Sequence, residues 1–354
     1  MEVVRFSTRL MPRGISFLTY NRWNLNIFKK EFSLFYNLKP YLCGDKLCNK
    51  QKLYLNGFTK QIHPMITIAN RIKKGLTDSY PVGEITALTR IIATEMLGIP
   101  QMTFFLKENV ELTHEQEATL EDAINRLQKH EPIQYIQGYS DFCGLRFKVT
   151  PATLIPRPET SELVEWVASE ATGNERILDI GTGSGCIAVS LANKMPQSKV
   201  TAWDISPEAL AVATENSRSN GTEVLFEQVD ILSYRPEENL FDIIVSNPPY
   251  IKENEKSAMH SNVLDWEPHT ALFVPDSDPL LFYRTIAKKG LALLKPGGTL
   301  YFEINRAHGA ETVEMLAGLG YTGIELRKDF AENDRMIKAT RKKPSVCKQT
   351  APLR

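Results

Sequence analysis

The sequence predicts a doubly wound α/β protein in which a small helical domain precedes a largely parallel sheet. Three observations predict this architecture. Strand and helix patterns alternate after residue 175, a glycine-rich turn follows the first of these strands, and a separate run of amphipathic helices comes before them. Ligands of such sheets bind beyond the carboxyl ends of the strands, so we expect the functional residues there.

Composition and periodicity divide the 354 residues into five segments. They are a basic leader (1–60), a helical domain (61–131), a β-hairpin linker (132–160), the α/β domain (161–342) and a tail (343–354). In the helical domain, apolar residues spaced three and four apart predict helices at 65–74, 82–97 and 113–129. Thr113, followed by Gln116, is typical of a capping box at the start of the third helix.

Alternating apolar and polar residues around Gly144 predict the hairpin of the linker, and Pro156 and Pro158 predict its extended exit. The α/β domain then opens with a helix at 160–171. Its strands are predicted at 176–180, 200–203, 224–228, 241–246, 299–303, 321–327 and 335–340. Its other helices are predicted at 185–194, 207–219, 279–294 and 308–318.

The formal net charge is zero, but the charges are unevenly distributed. The first 60 residues hold eleven Lys and Arg against three acidic residues, a net charge of +8 that leaves −8 on the remainder. An Arg-rich, acid-poor start with scattered apolar residues is typical of a mitochondrial presequence, with a basic surface arm as the alternative. The acidic remainder argues against direct nucleic-acid binding through bulk positive potential.

Two further classes of protein are disfavoured by composition. No apolar run approaches the ~18 residues of a membrane-spanning helix, so we expect no membrane association. The five Cys residues show no CxxC spacing and the six His residues are scattered, which predicts a reducing compartment and no metal site.

A glycine-rich turn follows the first strand of the α/β domain, in the sequence LDIGTGSGCIAV. Glycine permits a sharp turn and close approach of a ligand, and the amides that open the next helix face an anionic group. The dinucleotide fingerprint needs Gly or Ala where Cys186 stands, so the GxGxG spacing after Asp179 favours S-adenosyl-L-methionine (AdoMet). The predicted cofactor loop comprises Gly181, Thr182, Gly183, Ser184 and Gly185.

Acidic residues end the next two strands. Asp204 stands where a carboxylate accepts both ribose hydroxyls in the related dinucleotide sites, and an ordinary surface residue is the alternative. Asp230 either meets the adenine edge or caps the following turn. We therefore predict that both belong to the cofactor site.

The fourth strand leads directly into Asn247, Pro248, Pro249 and Tyr250. The prolines remove backbone donors and rigidify the turn. A planar amino group can then donate to the Asn247 side-chain oxygen and the Pro248 carbonyl while its face lies against the Tyr250 ring. The motif predicts methyl transfer from AdoMet to an amide or amino nitrogen, driven by orientation without a metal or a covalent intermediate.

Six motifs occur in a distinctive combination. They are PIQYIQG (132–138), LIPRPET (154–160), LDIGTGSG (178–185), SNPPYI (246–251), WEPHTAL (266–272) and ENDR (332–335). From about residue 65 to 340 the chain thereby resembles the HemK/PrmC family of protein-(glutamine-N5) methyltransferases, which act on peptide-chain release factors. The resemblance implies a seven-stranded, Rossmann-like, AdoMet-dependent methyltransferase fold whose N-terminal helical domain helps to dock the release factor.

The resemblance also implies a reaction and its residues. The substrate would be the glutamine amide in the Gly-Gly-Gln loop of a release factor. With the basic leader, we expect a mitochondrial release factor as partner and the matrix as location. The resemblance assigns cofactor contacts to the glycine loop, Asp204 and Asn247. It assigns the substrate amide to Asn247, Pro248, Pro249 and Tyr250.

The sequence leaves alternatives for the roles of three residues and for the reaction. Ile231 stands where some members of the family carry an aromatic residue that stacks on adenine. Arg157 and Glu159 are either a structural ion pair that holds the hairpin against the sheet or contacts to the substrate. The alternative reaction is adenine-N6 methylation of DNA or RNA, since those enzymes use the same NPPY motif. The chain, however, lacks a long basic recognition region after the sheet.

Overall fold

A computed structural model describes residues 64–106, 110–236, 238 and 240–343. The predicted leader and all but the first residue of the predicted tail lie outside the described residues. The described residues from Ile68 to Lys343 belong to one compact unit. Within the described residues, no helix is both long and apolar enough to cross a membrane.

The helical domain contains the three predicted helices and one more. Its helices are α1 (Pro64–Leu76), α2 (Val82–Ile91), α3 (Gln101–Leu106) and α4 (His114–Leu127). The capping box is confirmed, because Thr113 Oγ1 accepts from the Gln116 N–H and Gln116 Oε1 accepts from the Thr113 N–H. The second helix is shorter than predicted, since its last turn, Ile92–Met96, is a π-helix.

The linker differs in part from its predicted form. The hairpin comprises only β1 (Tyr139–Phe142) and β2 (Leu145–Lys148), and a short helix, α5 (Ile133–Gln137), precedes it. Pro132 suits the start of a helix, and Gly138 ends this one with a left-handed φ of 83°. These two residues explain why the first part of the linker is helical and not extended.

A seven-stranded sheet forms the centre of the α/β domain, as predicted. Its strands are β3 (Arg176–Ile180), β4 (Lys199–Asp204), β5 (Val224–Gln228), β6 (Phe241–Ser246), β9 (Leu294–Glu303), β10 (Thr322–Lys328) and β11 (Asp334–Thr340). The spatial order is β10-β11-β9-β6-β3-β4-β5, with β3 to β6 and β9 parallel and β11 antiparallel to both of its neighbours. The order of strands reverses around β3, which is where α/β sheets bind ligands.

Helices cover both faces of the sheet. They are α6 (Pro158–Glu170), α7 (Cys186–Lys194), α8 (Pro207–Ser219), α10 (Leu281–Leu293) and α11 (Gly309–Gly318). Alternate residues of a strand face opposite layers, so Ile243 packs into the core with α6 and α7, while Ile244 packs into the core with α10 and α11.

A shorter segment lies between β6 and α10. It contains β7 (Ile251–Lys252), α9 (Ser261–Leu264) and β8 (Phe273–Val274), and β7 pairs with β8 in parallel. This segment includes the WEPHTAL motif and contributes residues to the site described next.

Candidate active site

The ends of β3, β4, β5 and β6 meet around a cavity of about 340 Å³. Seven predicted site residues line it: Gly181, Gly183, Asp204, Asp230, Asn247, Pro248 and Pro249. Four predicted cofactor residues do not: Asp179, Thr182, Ser184 and Gly185. The cavity therefore has the position that the strand-end motifs predict, at the point where the strand order reverses.

Glycine is required at the three loop positions for different structural reasons. All three have left-handed φ angles, 75° at Gly181, 55° at Gly183 and 80° at Gly185. A Cβ at Gly181 or Gly183 would meet nothing within 4 Å, so these two leave open space beside the cavity. A Cβ at Gly185 would lie 3.0 Å from the Ala213 Cβ, so this glycine lets α7 pack closely against α8.

Asp179 lies beneath the loop, fully buried. Its Oδ2 accepts a hydrogen bond from Thr182 Oγ1 at 2.6 Å, and burial raises its pKa to about 7. Thr182 is also buried. The structure thus places this pair where it fixes the shape of the loop, with neither side chain lining the cavity.

Asp204 connects the glycine loop to the end of β4. One carboxylate oxygen accepts from the Gly183 N–H at 2.8 Å and the other accepts from the Ser206 N–H at 2.9 Å, while burial raises the pKa of the carboxyl. Asp230 Oδ1 accepts from the Leu232 N–H at 2.9 Å, which is the turn-capping alternative. Each carboxylate oxygen has a further lone pair, so both residues can also accept from a ligand hydroxyl or amine.

Two exposed aliphatic side chains flank the same cavity. Ile205 is 56% exposed and Leu232 is 44% exposed, and both line the cavity. Ile231 also lines the cavity, but its side chain is buried and packs into the core. A planar apolar ring between Ile205 and Leu232 would remove both from water. Together with the open glycine loop and the Asp204 carboxylate, these residues fit AdoMet.

Lys289 holds the loop that carries Leu232. Its ammonium donates to the carbonyl oxygens of Ile231, Leu232 and Tyr234 at 2.6, 3.0 and 2.6 Å. Burial lowers the pKa of Lys289, and the nearby Asp230 carboxylate opposes that change. Neither residue type nor spacing in the sequence marks this lysine.

Replacing Lys289 by methionine is expected to weaken AdoMet binding about tenfold, because three charge-assisted hydrogen bonds that order the loop are lost. Titration calorimetry with AdoMet measures this effect. Lys288→Met is the matched control, since Lys288 is the exposed neighbour on α10 and should leave the dissociation constant unchanged. A wild-type dissociation constant for Lys289→Met would contradict the role of the lysine in shaping the site.

A second cavity, of about 350 Å³, adjoins the first. Leu154, Asn247 and Ala271 line both cavities, so Asn247 lies in the wall between them. Arg157 and Tyr250 line the second cavity and not the first. The NPPY motif therefore borders two compartments, one beside the glycine loop and one beside the tyrosine.

A buried carboxylate supports the wall. Glu303, at the end of β9, accepts from Thr160 Oγ1 at 2.6 Å and from the Tyr250 hydroxyl at 3.4 Å, and burial raises the pKa of the Glu303 carboxyl. Asn247 Nδ2 donates to Thr160 Oγ1 at 3.4 Å. The sequence did not mark Thr160 or Glu303 as site residues, although both lie at strand or helix ends that face the predicted motif.

Arg157 forms an ion pair with Glu267 and not with Glu159. Its guanidinium pairs with Glu267 of the WEPHTAL motif at 2.5 Å, and the other Glu267 oxygen accepts from the Ile155 N–H at 3.2 Å. Of the two alternatives for Arg157 and Glu159, the ion pair between them does not form, because Arg157 instead neutralises the buried Glu267 carboxylate, which is only 1% exposed. The ion pair ties the LIPRPET and WEPHTAL motifs together beside the second cavity.

Comparisons with known proteins identify similar chains. The PrmC N-terminal domain matches residues 69–138, and the methyltransferase small domain matches residues 159–265. A release factor glutamine methyltransferase from Bacteroides thetaiotaomicron is 49% identical over 278 residues, which cover 78% of this chain and 100% of the relative. One from Flavobacterium psychrophilum is 44% identical, with 75% of this chain and 95% of the relative covered. Among solved structures, a methyltransferase from Pyrococcus furiosus is 19% identical with a TM-score of 0.43, covering 65% of this chain and 100% of that one.

Proposed function

The chain belongs to the release factor glutamine methyltransferase family, and on this premise we propose that it methylates the side-chain amide of a glutamine in a peptide-chain release factor. The observation that carries the proposal is the position of Asn247 in the wall between two cavities. A residue there can contact a cofactor on one side and a substrate amide on the other. The cofactor is AdoMet.

When bound, AdoMet supplies a methyl group activated by a sulfonium. The residues of the chain orient the acceptor. We assign the Asn247 side-chain oxygen and the Pro248 carbonyl as acceptors for the two amide N–H groups, and the Tyr250 ring as the surface against which the amide lies. These three residues form what we term the amide clamp. Fixed orientation and acceptors that strengthen as the nitrogen gains positive charge account for the acceleration.

We further propose that the substrate glutamine is that of the Gly-Gly-Gln loop in a mitochondrial release factor, methylated in the matrix. Two features of the sequence support this. The first 60 residues carry a net charge of +8 with the composition of a presequence, and the acidic remainder suits a basic protein partner.

Transfer of labelled methyl groups tests the reaction. The purified full chain is incubated with labelled AdoMet and, in parallel, with a release factor, the same factor with its loop glutamine changed to alanine, and duplex DNA. We expect label on the first substrate only. Label on DNA would favour the adenine-N6 alternative, and equal label on both forms of the factor would place the acceptor elsewhere.

Imaging tests the location. The full chain with a C-terminal fluorescent tag is expected in mitochondria of a eukaryotic cell. The control is the same chain with Arg5, Arg9 and Arg13 changed to glutamate, which reverses the charge of the leader and should leave the protein in the cytosol. Cytosolic fluorescence from the unaltered chain would contradict the proposed location.

A further inference from the structure

The Thr160 hydroxyl has a fixed direction of donation. A threonine hydroxyl carries one proton and two lone pairs. Thr160 Oγ1 donates at 2.6 Å to one oxygen of the buried Glu303, and the Tyr250 hydroxyl donates to the other. Burial raises the pKa of Glu303, but these two hydrogen bonds and the charge of Arg335 oppose the rise and favour an ionised carboxylate, which only accepts. The single proton of Thr160 therefore points to Glu303, and the hydroxyl offers only lone pairs to its other neighbour.

That neighbour is the Asn247 carboxamide, 3.4 Å away. Because Thr160 Oγ1 can only accept from this side, Asn247 must present its Nδ2 donor to it. The Oδ1 acceptor then points away from Thr160. No described residue donates a hydrogen bond to Asn247 Oδ1, so this oxygen is available at the wall between the cavities.

The Glu303 carboxylate also restrains Tyr250, another residue of the amide clamp. The Tyr250 hydroxyl donates to the second oxygen of Glu303 at 3.4 Å. A tyrosine hydroxyl, like that of threonine, has one proton, so an ionised carboxylate is the partner that lets both hydroxyls donate at once. One buried group thus sets the orientation of both Asn247 and Tyr250.

We propose that Thr160 and Glu303 are positioning residues that select glutamine, because they force Asn247 to present a hydrogen-bond acceptor to the substrate. This inference rests on the proposed function. An acceptor at that position suits the N–H groups of a glutamine amide and repels the carboxylate of a glutamate. A site that instead presented the Asn247 Nδ2 donor would favour the glutamate carboxylate over the glutamine amide.

Binding measurements test this preference for glutamine over glutamate without relying on turnover. The full chain with S-adenosylhomocysteine is titrated by calorimetry with a release factor carrying its loop glutamine, and with the same factor changed from glutamine to glutamate. We expect the wild-type enzyme to bind the glutamine form about 10- to 100-fold more tightly. Thr160→Val keeps the shape of the side chain but frees the Asn247 amide to rotate, and should reduce that preference about tenfold.

Two further variants separate positioning from stability. Thr160→Ser keeps the hydroxyl and should restore most of the preference. Thr312→Val makes the same change at another buried threonine, which lies on α11 and donates its hydroxyl proton to the His308 carbonyl. This variant should leave the preference for glutamine unchanged.

The outcomes distinguish the two proposals. A wild-type preference that Thr160→Val retains in full overturns the inference alone. A parallel loss in Thr312→Val overturns it too, because general stability would then explain the effect. A wild-type enzyme that binds both forms of the release factor equally overturns the proposed function, and this inference with it.

Discussion

Replacing Asn247 by alanine is expected to reduce kcat about 1,000-fold while AdoMet affinity changes by less than about tenfold. The variant removes an acceptor that holds the substrate nitrogen in line with the transferred methyl group. The glycine loop, Asp204 and Leu232, which line the first cavity, are unchanged in this variant. Single-turnover kinetics measure the chemical step, and calorimetry measures the dissociation constant of AdoMet.

Asn193→Ala is the matched control, because Asn193 is an exposed residue of α7 and should leave both quantities unchanged. Equal losses of turnover and AdoMet affinity in Asn247→Ala would mean that this residue belongs chiefly to the cofactor cavity. The amide clamp would then need a different acceptor.

Replacing Arg157 by methionine is expected to lower the free energy of unfolding at pH 7 by about 2–4 kcal/mol. The variant leaves the Glu267 carboxylate buried with one remaining hydrogen bond, from the Ile155 N–H. Methionine retains most of the apolar contacts of the arginine stem, so the loss reports the uncompensated charge. Urea unfolding followed by circular dichroism measures the difference.

The effect of Arg157→Met should depend on pH. Burial raises the pKa of Glu267, and the Arg157 charge opposes this rise, so removal of the arginine raises the pKa further. A folded-state pKa above the unfolded value of about 4.3 means that stability is greatest below that value and falls as pH rises through the folded pKa. The variant should therefore approach wild-type stability near pH 4.

The double variant Arg157→Met/Glu267→Gln carries no buried charge and should lose most of this pH dependence. Arg146→Met breaks an exposed ion pair with Asp141 and should cost at most about 1 kcal/mol. A deficit in Arg157→Met that is constant between pH 4 and 8 would show that lost packing, and not the charge of Glu267, is responsible.

Much of the fold follows from local sequence. The central strands β3 and β6 have apolar runs of the right length, and β6 shows why, since Ile243 and Ile244 pack into opposite cores. The start of β9 was not predictable in this way. Pro296, Gly297 and Gly298 are residues typical of turns, yet they lie within β9, where Gly297 adopts a φ of 87° and the pairing with β6 shifts register.

In the candidate site, too, some residues could be predicted from local sequence and others could not. The glycine loop and the NPPY motif were predictable because each chemical group directly follows its own strand. Thr160 and Glu303 are 143 residues apart, and Arg157 and Glu267 are 110 residues apart. Only tertiary packing brings these partners together, of α6 against the sheet for Thr160 and Glu303, and of the residue before α6 against the segment between α9 and β8 for Arg157 and Glu267. No spacing in the sequence indicates either pair. Lys289 was missed for the same reason.

The amide clamp also bears on what happens after the reaction. An unmodified glutamine amide has two N–H groups for the two assigned acceptors, Asn247 Oδ1 and the Pro248 carbonyl. Its N5-methylated product has one. The product therefore makes one hydrogen bond fewer, a loss of about 1 kcal/mol, which corresponds to a roughly fivefold higher dissociation constant for the product than for the substrate. On the proposed mechanism, this loss would favour departure of the modified release factor and would leave the nitrogen poorly oriented for a second transfer, so we expect methylation to stop after one methyl group.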